Sequence, residues 1–172
     1  VKEISDEGEI ILSKTNYYAE YGGEVADTGE ISNNSTTLEV FNVVKAPNKQ
    51  HLHAVKVKRG VIREGDEVRA EINIEDRRLI ERNHTATHLL QAALDKVLGN
   101  HIKQMGSYVC KDYMRFDFTH YSKITSEELK AIESEVNKMI AEAIPANIQI
   151  MSLADANKLG IEDRKSGSAG MP

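Results

Sequence analysis

The chain reads as an α+β protein: a small β-barrel-like subdomain over residues 1–76, then an α+β subdomain over 77–172 in which an antiparallel sheet is joined by helices. Three observations predict this. The first half alternates short β-prone segments with Gly, Asn and Asp turns and offers no helical period. A long helical pattern then runs from Arg77 to Leu98. Beyond it, a β stretch is followed by a second helix with a clear start signal.

In the first half the strand candidates are Glu9 to Lys14, Leu38 to Lys45, Leu52 to Lys58 and Glu67 to Ile74. The last alternates cleanly as Val68, Ala70, Ile72 and Ile74. Turn chemistry separates them at Gly22-Gly23, Asp27-Thr28-Gly29, Ser32-Asn33-Asn34-Ser35, Pro47-Asn48 and Glu64-Gly65-Asp66. Many short strands without a helix point to a small barrel.

In the second half the helix from about Arg77 stops at Gly99-Asn100, a suitable C-cap pair. The β stretch covers Ser107 to Thr119, with Met114, Phe116 and Phe118 on one face and Tyr113, Arg115 and Asp117 on the other. Thr125-Ser126-Glu127-Glu128 has the capping-box form. Leu129, Ile132, Val136, Met139, Ile140 and Ala143 make the buried stripe of the helix it opens, and Pro145 closes that helix. Ile148 to Met151 reads as a short strand, Leu153 to Leu159 as a short helix ending at Gly160, and residues 165–172 as a loop or linker.

Composition narrows the class. With 172 residues, 40% hydrophobic and 28% charged, the chain has an ordinary globular make-up. No apolar run approaches the roughly 20 residues of a membrane span. The N-terminus lacks a signal-peptide pattern and an initiator Met, which reads as a piece of a longer protein. The single cysteine, Cys110, excludes an intramolecular disulfide and suits a reducing, cytoplasmic setting; it reads as a small apolar residue on a strand, with a metal ligand as the alternative. A net charge of −5 argues against a surface built throughout to grip phosphates. Lys56, Lys58, Arg59 and Arg63, or Arg77, Arg78 and Arg82, make either a local basic patch or a solvated face.

The segment richest in chemistry is Asn83-His84-Thr85-Ala86-Thr87-His88-Leu89-Leu90. Four residues apart on a helix, His84 and His88 stack on one face about 6 Å apart, close enough to grip one metal ion. Thr85 and Thr87 add hydroxyls, while Leu89, Leu90, Ala93, Leu94, Val97 and Leu98 supply an apolar anchor. The alternative is one buried core histidine and one surface histidine. Thr85 stands where a zinc peptidase needs its general-base Glu, so that chemistry is excluded. Two ligands also fall short of the three or four that zinc takes. His51 and His53, alternating on a strand, read as strand-end polar residues; His101 and His120 complete the set. Thr15 to Gly29 crowds Tyr17, Tyr18 and Tyr21 around Gly22-Gly23, which suits either close approach to a ligand or a tight hairpin. Gln104-Met105-Gly106-Ser107 reads as a loop whose amide side chain could stand beside the histidine pair.

These segments resemble a known family. Thr15 to Gly29 is similar to the stretch that opens the editing region of alanyl-tRNA synthetases, and Asn83 to Leu90 to that region's first metal motif. Gln104 to Ser107, Met114 to Phe118, and Ile132-Glu133 through Val136-Asn137 follow in the family's order, so the resemblance covers roughly residues 10 to 160. The HxxxH motif alone is shared with threonyl-tRNA synthetase editing domains and the freestanding AlaX proteins. The Tyr18-to-Gly23 segment and the Arg115-to-Phe118 strand favour the alanyl enzyme.

The resemblance implies hydrolysis of serine or glycine wrongly esterified to tRNA(Ala). It implies zinc held in part by His84 and His88, with Gln104 contacting the misacylated residue and Thr85 or Thr87 positioning substrate or water. Gly22, Gly23, Asp27 and Arg115 would be substrate-binding residues. The parent enzyme would be a cytoplasmic ligase using ATP and magnesium in an aminoacylation domain that these residues do not include.

Three departures stand out. The family's downstream Cys-x-x-x-His does not occur, and Met114 occupies the fourth position after Cys110, so half a metal site is expected. Glu24 stands where the family usually has Gln, and the stretch from Gly160 onward does not follow the family pattern. Two rival readings are a non-catalytic module that holds the tRNA acceptor end and a freestanding AlaX-type editor.

Overall fold

Turn residues cut the first half of the chain into strands, and the Asn33, Asn48 and Asp66 side chains each close a turn by accepting from a nearby backbone N–H. In this computed structural model, residues 3–145 and 149–159 are described. The Oδ1 of Asn33 accepts from the backbone N–H groups of Ser35 (3.0 Å) and Thr36 (2.8 Å), closing one hairpin. The strands are β1 (Glu3–Ile4), β2 (Glu7–Ile11), β3 (Gly29–Ser32), β4 (Thr37–Lys45), β5 (His51–Arg59), β6 (Ile62–Arg63) and β7 (Arg69–Ile72). A five-stranded antiparallel sheet runs in the order β2-β5-β4-β3-β7, and β1 pairs with β6. The α+β class stands. The sheet itself is open rather than closed into a barrel, with β2 and β7 at its edges.

Contacts divide the chain into two compact units: residues 1–85 with 108–115, and residues 86–107 with 116–172. The first is built on Tyr17, Ile31, Leu38, Val40, Val43 and Val55, all buried. A bulge between Val40 and Asn42 shifts the β4–β5 register, so the buried positions of β4 pass from 38 and 40 to 43, leaving Phe41 exposed. Strand β3 was not expected, because Ile31 is its one large apolar residue and turn-formers flank it. It is nevertheless the inner strand between β4 and β7. Gly29 opens it where only glycine fits: a Cβ there would sit 2.1 Å from the Glu71 carbonyl oxygen.

Helix α1 (Ile74–Leu98) starts three residues before the expected Arg77, because the Asn73 side chain caps the Asp76 N–H at 3.2 Å. Ile74, expected in a strand, is therefore helical. The helix ends at Gly99, whose φ of 105° makes it the left-handed cap that the sequence suggests. Gln104 to Ser107 is not a loop but the start of β8 (Gln104–Val109), which pairs with β9 (Met114–Phe118). The single β stretch expected over 107–119 is thus broken by a turn. Cys110 lies in that turn, its N–H donating to the Tyr113 carbonyl at 3.0 Å, and not within a strand.

Helix α2 (Ser126–Ala141) opens with the anticipated capping box: Thr125 Oγ1 accepts from the Glu128 N–H, and the Glu128 carboxylate accepts from the Thr125 N–H. Ile132 is buried and Val136 and Met139 pack on the second core with Ala93, Leu94 and Ile102. Leu129 and Ile140, expected in the buried stripe, are more than half exposed at 54% and 57%. Helix α3 (Leu153–Lys158) follows; residues 149–151 form no strand, and Ile148, Gly160 and the tail lie outside the described residues.

Candidate functional site

The site in the first unit is assembled from the Tyr17-to-Thr28 segment, the first three turns of α1 and the turn after β8. Gly22 and Gly23 have φ of 64° and 85°, and Tyr21 and Glu24 exchange backbone hydrogen bonds of 3.2 and 3.1 Å around them. Two successive positive φ values are the signature of a type I′ hairpin turn, and they explain the glycine pair. Just past the turn, Val109 donates to the Gly23 carbonyl (2.8 Å) and Val25 to the Val109 carbonyl (3.1 Å). That pairing holds the Glu24 backbone in place.

The side chains that converge from here are charged and buried. Asp27 is 2% exposed and Glu24 5%. The Arg77 guanidinium grips Asp27 in a two-pronged ion pair, Nε to Oδ1 at 2.7 Å and Nη2 to Oδ2. Its Nη1 lies 3.7 Å from Glu24 Oε1. Tyr18 completes the clamp: its N–H donates to Asp27 Oδ2 at 2.8 Å, and its ring centroid lies 5.1 Å from the guanidinium carbon. Burial works against the Arg77 charge, but the hydrogen bonds and charge of Asp27 outweigh it, and its pKa is held above the ordinary arginine value. Burial also raises the Tyr18 pKa, as does the nearby Glu24 charge.

Glu24 Oε2 in turn hydrogen-bonds His84 Nδ1. Arg77, Ile80 and His84 stand at i, i+3 and i+7, on one face of α1. Asn83 secures the next position by donating to the Cys110 carbonyl at 2.7 Å, and Lys111 reaches back to Asp76 at 3.1 Å.

The expected site residues distribute as follows. His84, Asp27, Gly22 and Gly23 come together in the first unit through Glu24 and Arg77. Thr85 donates its hydroxyl to the Glu81 carbonyl one turn back (2.9 Å), and Arg115 is exposed on β9. Thr87, buried, and His88, exposed, continue along α1, and Gln104, half-buried, opens β8. His53 is no strand-end residue: it is fully buried, 2.8 Å from Thr15 Oγ1 and edge-on to Tyr17, and burial lowers its pKa. His101 and His120 pair with each other in the second unit, 2.9 Å apart.

Sequence reasoning passed over Arg77 and Glu24 as site residues. Arg77 belongs to no solvated basic patch, while Lys56, Lys58 and Arg63 pair with Glu7, Glu39 and Glu3 on the surface. The available signal was a Glu and an Asp three residues apart within an aromatic, glycine-bearing segment, with Arg77 seven residues before His84.

His84 and His88 lie one turn apart on α1, with the donor chemistry zinc accepts. Among the described residues, no group of three or more His, Cys, Asp or Glu side chains is placed to hold a metal. The described residues therefore do not make up a zinc site. Among them, too, no helix is long and apolar enough to cross a membrane.

Comparison with known proteins gives a consistent picture. Residues 1–76 match the family model for class II tRNA synthetases (A). The chain is 47% identical over 163 residues to the alanine–tRNA ligase of Lysinibacillus sphaericus, covering 93% of this chain and 18% of that protein. It is 45% identical over 156 residues to that of Petrotoga mobilis (91% and 18%), and 46% identical over 162 residues to that of Listeria monocytogenes (93% and 18%). The chain thus spans about a fifth of the length of the curated relatives it matches. By these comparisons the chain is similar to a stretch of alanine–tRNA ligases, and its first 76 residues to class II tRNA synthetases (A).

Proposed function

We propose that this stretch is the editing region of an alanyl-tRNA synthetase, which hydrolyses the ester of serine or glycine wrongly attached to tRNA(Ala). The observation that carries the reading is the pair His84 and His88, one turn apart on a continuous helix, in a chain that aligns with alanine–tRNA ligases over 93% of its length. The chemistry supplies the motive. Alanine, glycine and serine differ by a methyl or a hydroxyl, and a synthetic pocket gains only about 1–3 kcal/mol from such a difference. A second, hydrolytic site removes the errors that remain.

In this reading water attacks the ester carbonyl, the ribose hydroxyl leaves, and free amino acid and tRNA result. Gln104 contacts the misacylated residue, Thr87 or Thr85 orients substrate or water, and Gly22, Gly23 and Arg115 lie along the acceptor end. Asp27 is fully engaged by Arg77 and Tyr18, so the role we assign it is to hold Arg77 in place. His84 and His88 would supply two zinc ligands in the intact enzyme. ATP, magnesium and alanine would be used by the aminoacylation part of the same cytoplasmic protein.

The test is accumulation of serine-charged tRNA(Ala) by the intact enzyme supplied with serine and ATP. The H88A variant is expected to accumulate it while charging alanine at the normal rate. No accumulation in H88A or in Gln104→Ala contradicts the proposal.

A further inference from the structure

We infer that Glu24 is a positioning residue that fixes His84 in one tautomer, with the proton on Nδ1 and the lone pair on Nε2. A neutral imidazole carries its proton on either nitrogen, and the partner of one nitrogen decides what the other offers. Here the partner is a buried side chain with little freedom. Glu24 sits at the exit of the Gly22-Gly23 turn, its backbone fixed by Tyr21 and by the neighbouring Val109 pairing.

One of its oxygens faces the Arg77 guanidinium and the other meets His84 Nδ1. A carboxylate held against a guanidinium has only acceptor atoms, so the hydrogen of this bond comes from the ring. Nε2 is then the atom with which His84 acts as base, acceptor or ligand. Arg77 is itself clamped by Asp27 and Tyr18, so the chain Asp27–Arg77–Glu24–His84 transmits a rigid loop geometry to one ring nitrogen.

The identity of residue 24 matters for this role. Glutamine has the same shape, yet its amide can either accept from Nδ1 or donate to it. Glutamate removes that ambiguity. For the proposed editing reaction, on which the functional meaning of this inference rests, a single tautomer presents the same nitrogen at every turnover.

The experiment is nitrogen NMR of the His84 ring in the metal-free 172-residue chain, at a pH of about 8, where an ordinary imidazole is neutral. The expected wild-type result is a protonated Nδ1 and a lone-pair Nε2. The E24Q variant is expected to give a mixture of both tautomers, with the backbone amide spectrum outside the site unchanged. A wild-type ring protonated on Nε2, or an E24Q ring identical to wild type, overturns the inference. Should E24Q fail to fold, the wild-type spectrum alone decides. Deacylation of serine-charged tRNA(Ala) is read separately in the intact enzyme, so a fixed tautomer without deacylation supports this inference and overturns the editing reading alone.

Discussion

Arg77, half-buried, and Asp27, buried, form a two-pronged ion pair that joins the first turn of α1 to the segment after the glycine hairpin, and Glu24 stands 3.7 Å away on the same guanidinium. Removing the cation strands two buried carboxylates. Breaking a buried pair by deleting one partner costs about 3–5 kcal/mol, because the remaining charge is uncompensated. R77M is expected to lose stability in that range by urea denaturation. R77K, which keeps the charge but not the planar fork, is expected to lose less. Equal stabilities for R77M and wild type would contradict the account of the clamp.

Gly29 is required by close approach rather than by backbone angle. A Cβ at this position would meet the Glu71 carbonyl oxygen at 2.1 Å and the Tyr17 hydroxyl at 2.6 Å. The Tyr17 hydroxyl is itself within hydrogen-bond reach of the Glu71 carbonyl (2.7 Å) and the Glu30 carbonyl (3.0 Å). G29A must therefore push β7 away from β3 and disturb that hydroxyl. A loss of about 1–3 kcal/mol is expected from overpacking. A thermal melt that leaves G29A at the wild-type midpoint would show that the sheet has room.

His53 predicts a pH dependence. Burial lowers its pKa in the folded state from the ordinary 6.5, opposed in part by its contact with the Ile10 carbonyl. Below about pH 6.5 the unfolded chain takes up a proton that the folded chain resists, so stability falls as pH falls through this window. H53Q is expected to be less stable than wild type at neutral pH, since it loses part of a buried hydrogen-bond set. The gap between the two should narrow on acidification. Parallel stability–pH curves for the two proteins would contradict this.

The capping box of α2 gives a smaller, local effect. Thr125 Oγ1 accepts from the Glu128 N–H at 3.2 Å, and the Glu128 carboxylate accepts from the Thr125 N–H at 2.8 Å. T125A is expected to cost about 1 kcal/mol. Denaturant midpoints would show it.

Local signals made much of the fold legible. The capping box at Thr125, the glycine stop at Gly99 and the alternation of Met114, Phe116 and Phe118 are each written within a few residues, and each appears in the structure. Strand β3 could not be read the same way, because what makes Gly29–Ser32 a strand is its pairing with β4 and β7, far along the chain. The β8–β9 turn was hidden for a similar reason: Asp112 stands alone there with no Gly, Pro or Asn beside it, and the hairpin closes through strand pairing and the Cys110–Tyr113 contact.

At the site, the histidine spacing and the glycine pair were visible as motifs. The Glu24–His84 bond and the Arg77–Asp27 clamp were not, since they join residues 60 and 50 positions apart. A surface reading of Arg77 and a strand-end reading of His53 failed together, because burial of a polar residue depends on partners that only the fold supplies.

The most direct measurement is single-turnover hydrolysis of preformed serine-charged tRNA(Ala) by the intact enzyme that contains these residues, beside its H84A/H88A variant. The account predicts hydrolysis by the wild type and its loss in the variant, with the acceptor end still bound. Hydrolysis at equal rates in both proteins, or in neither while the acceptor end is bound equally, would contradict it.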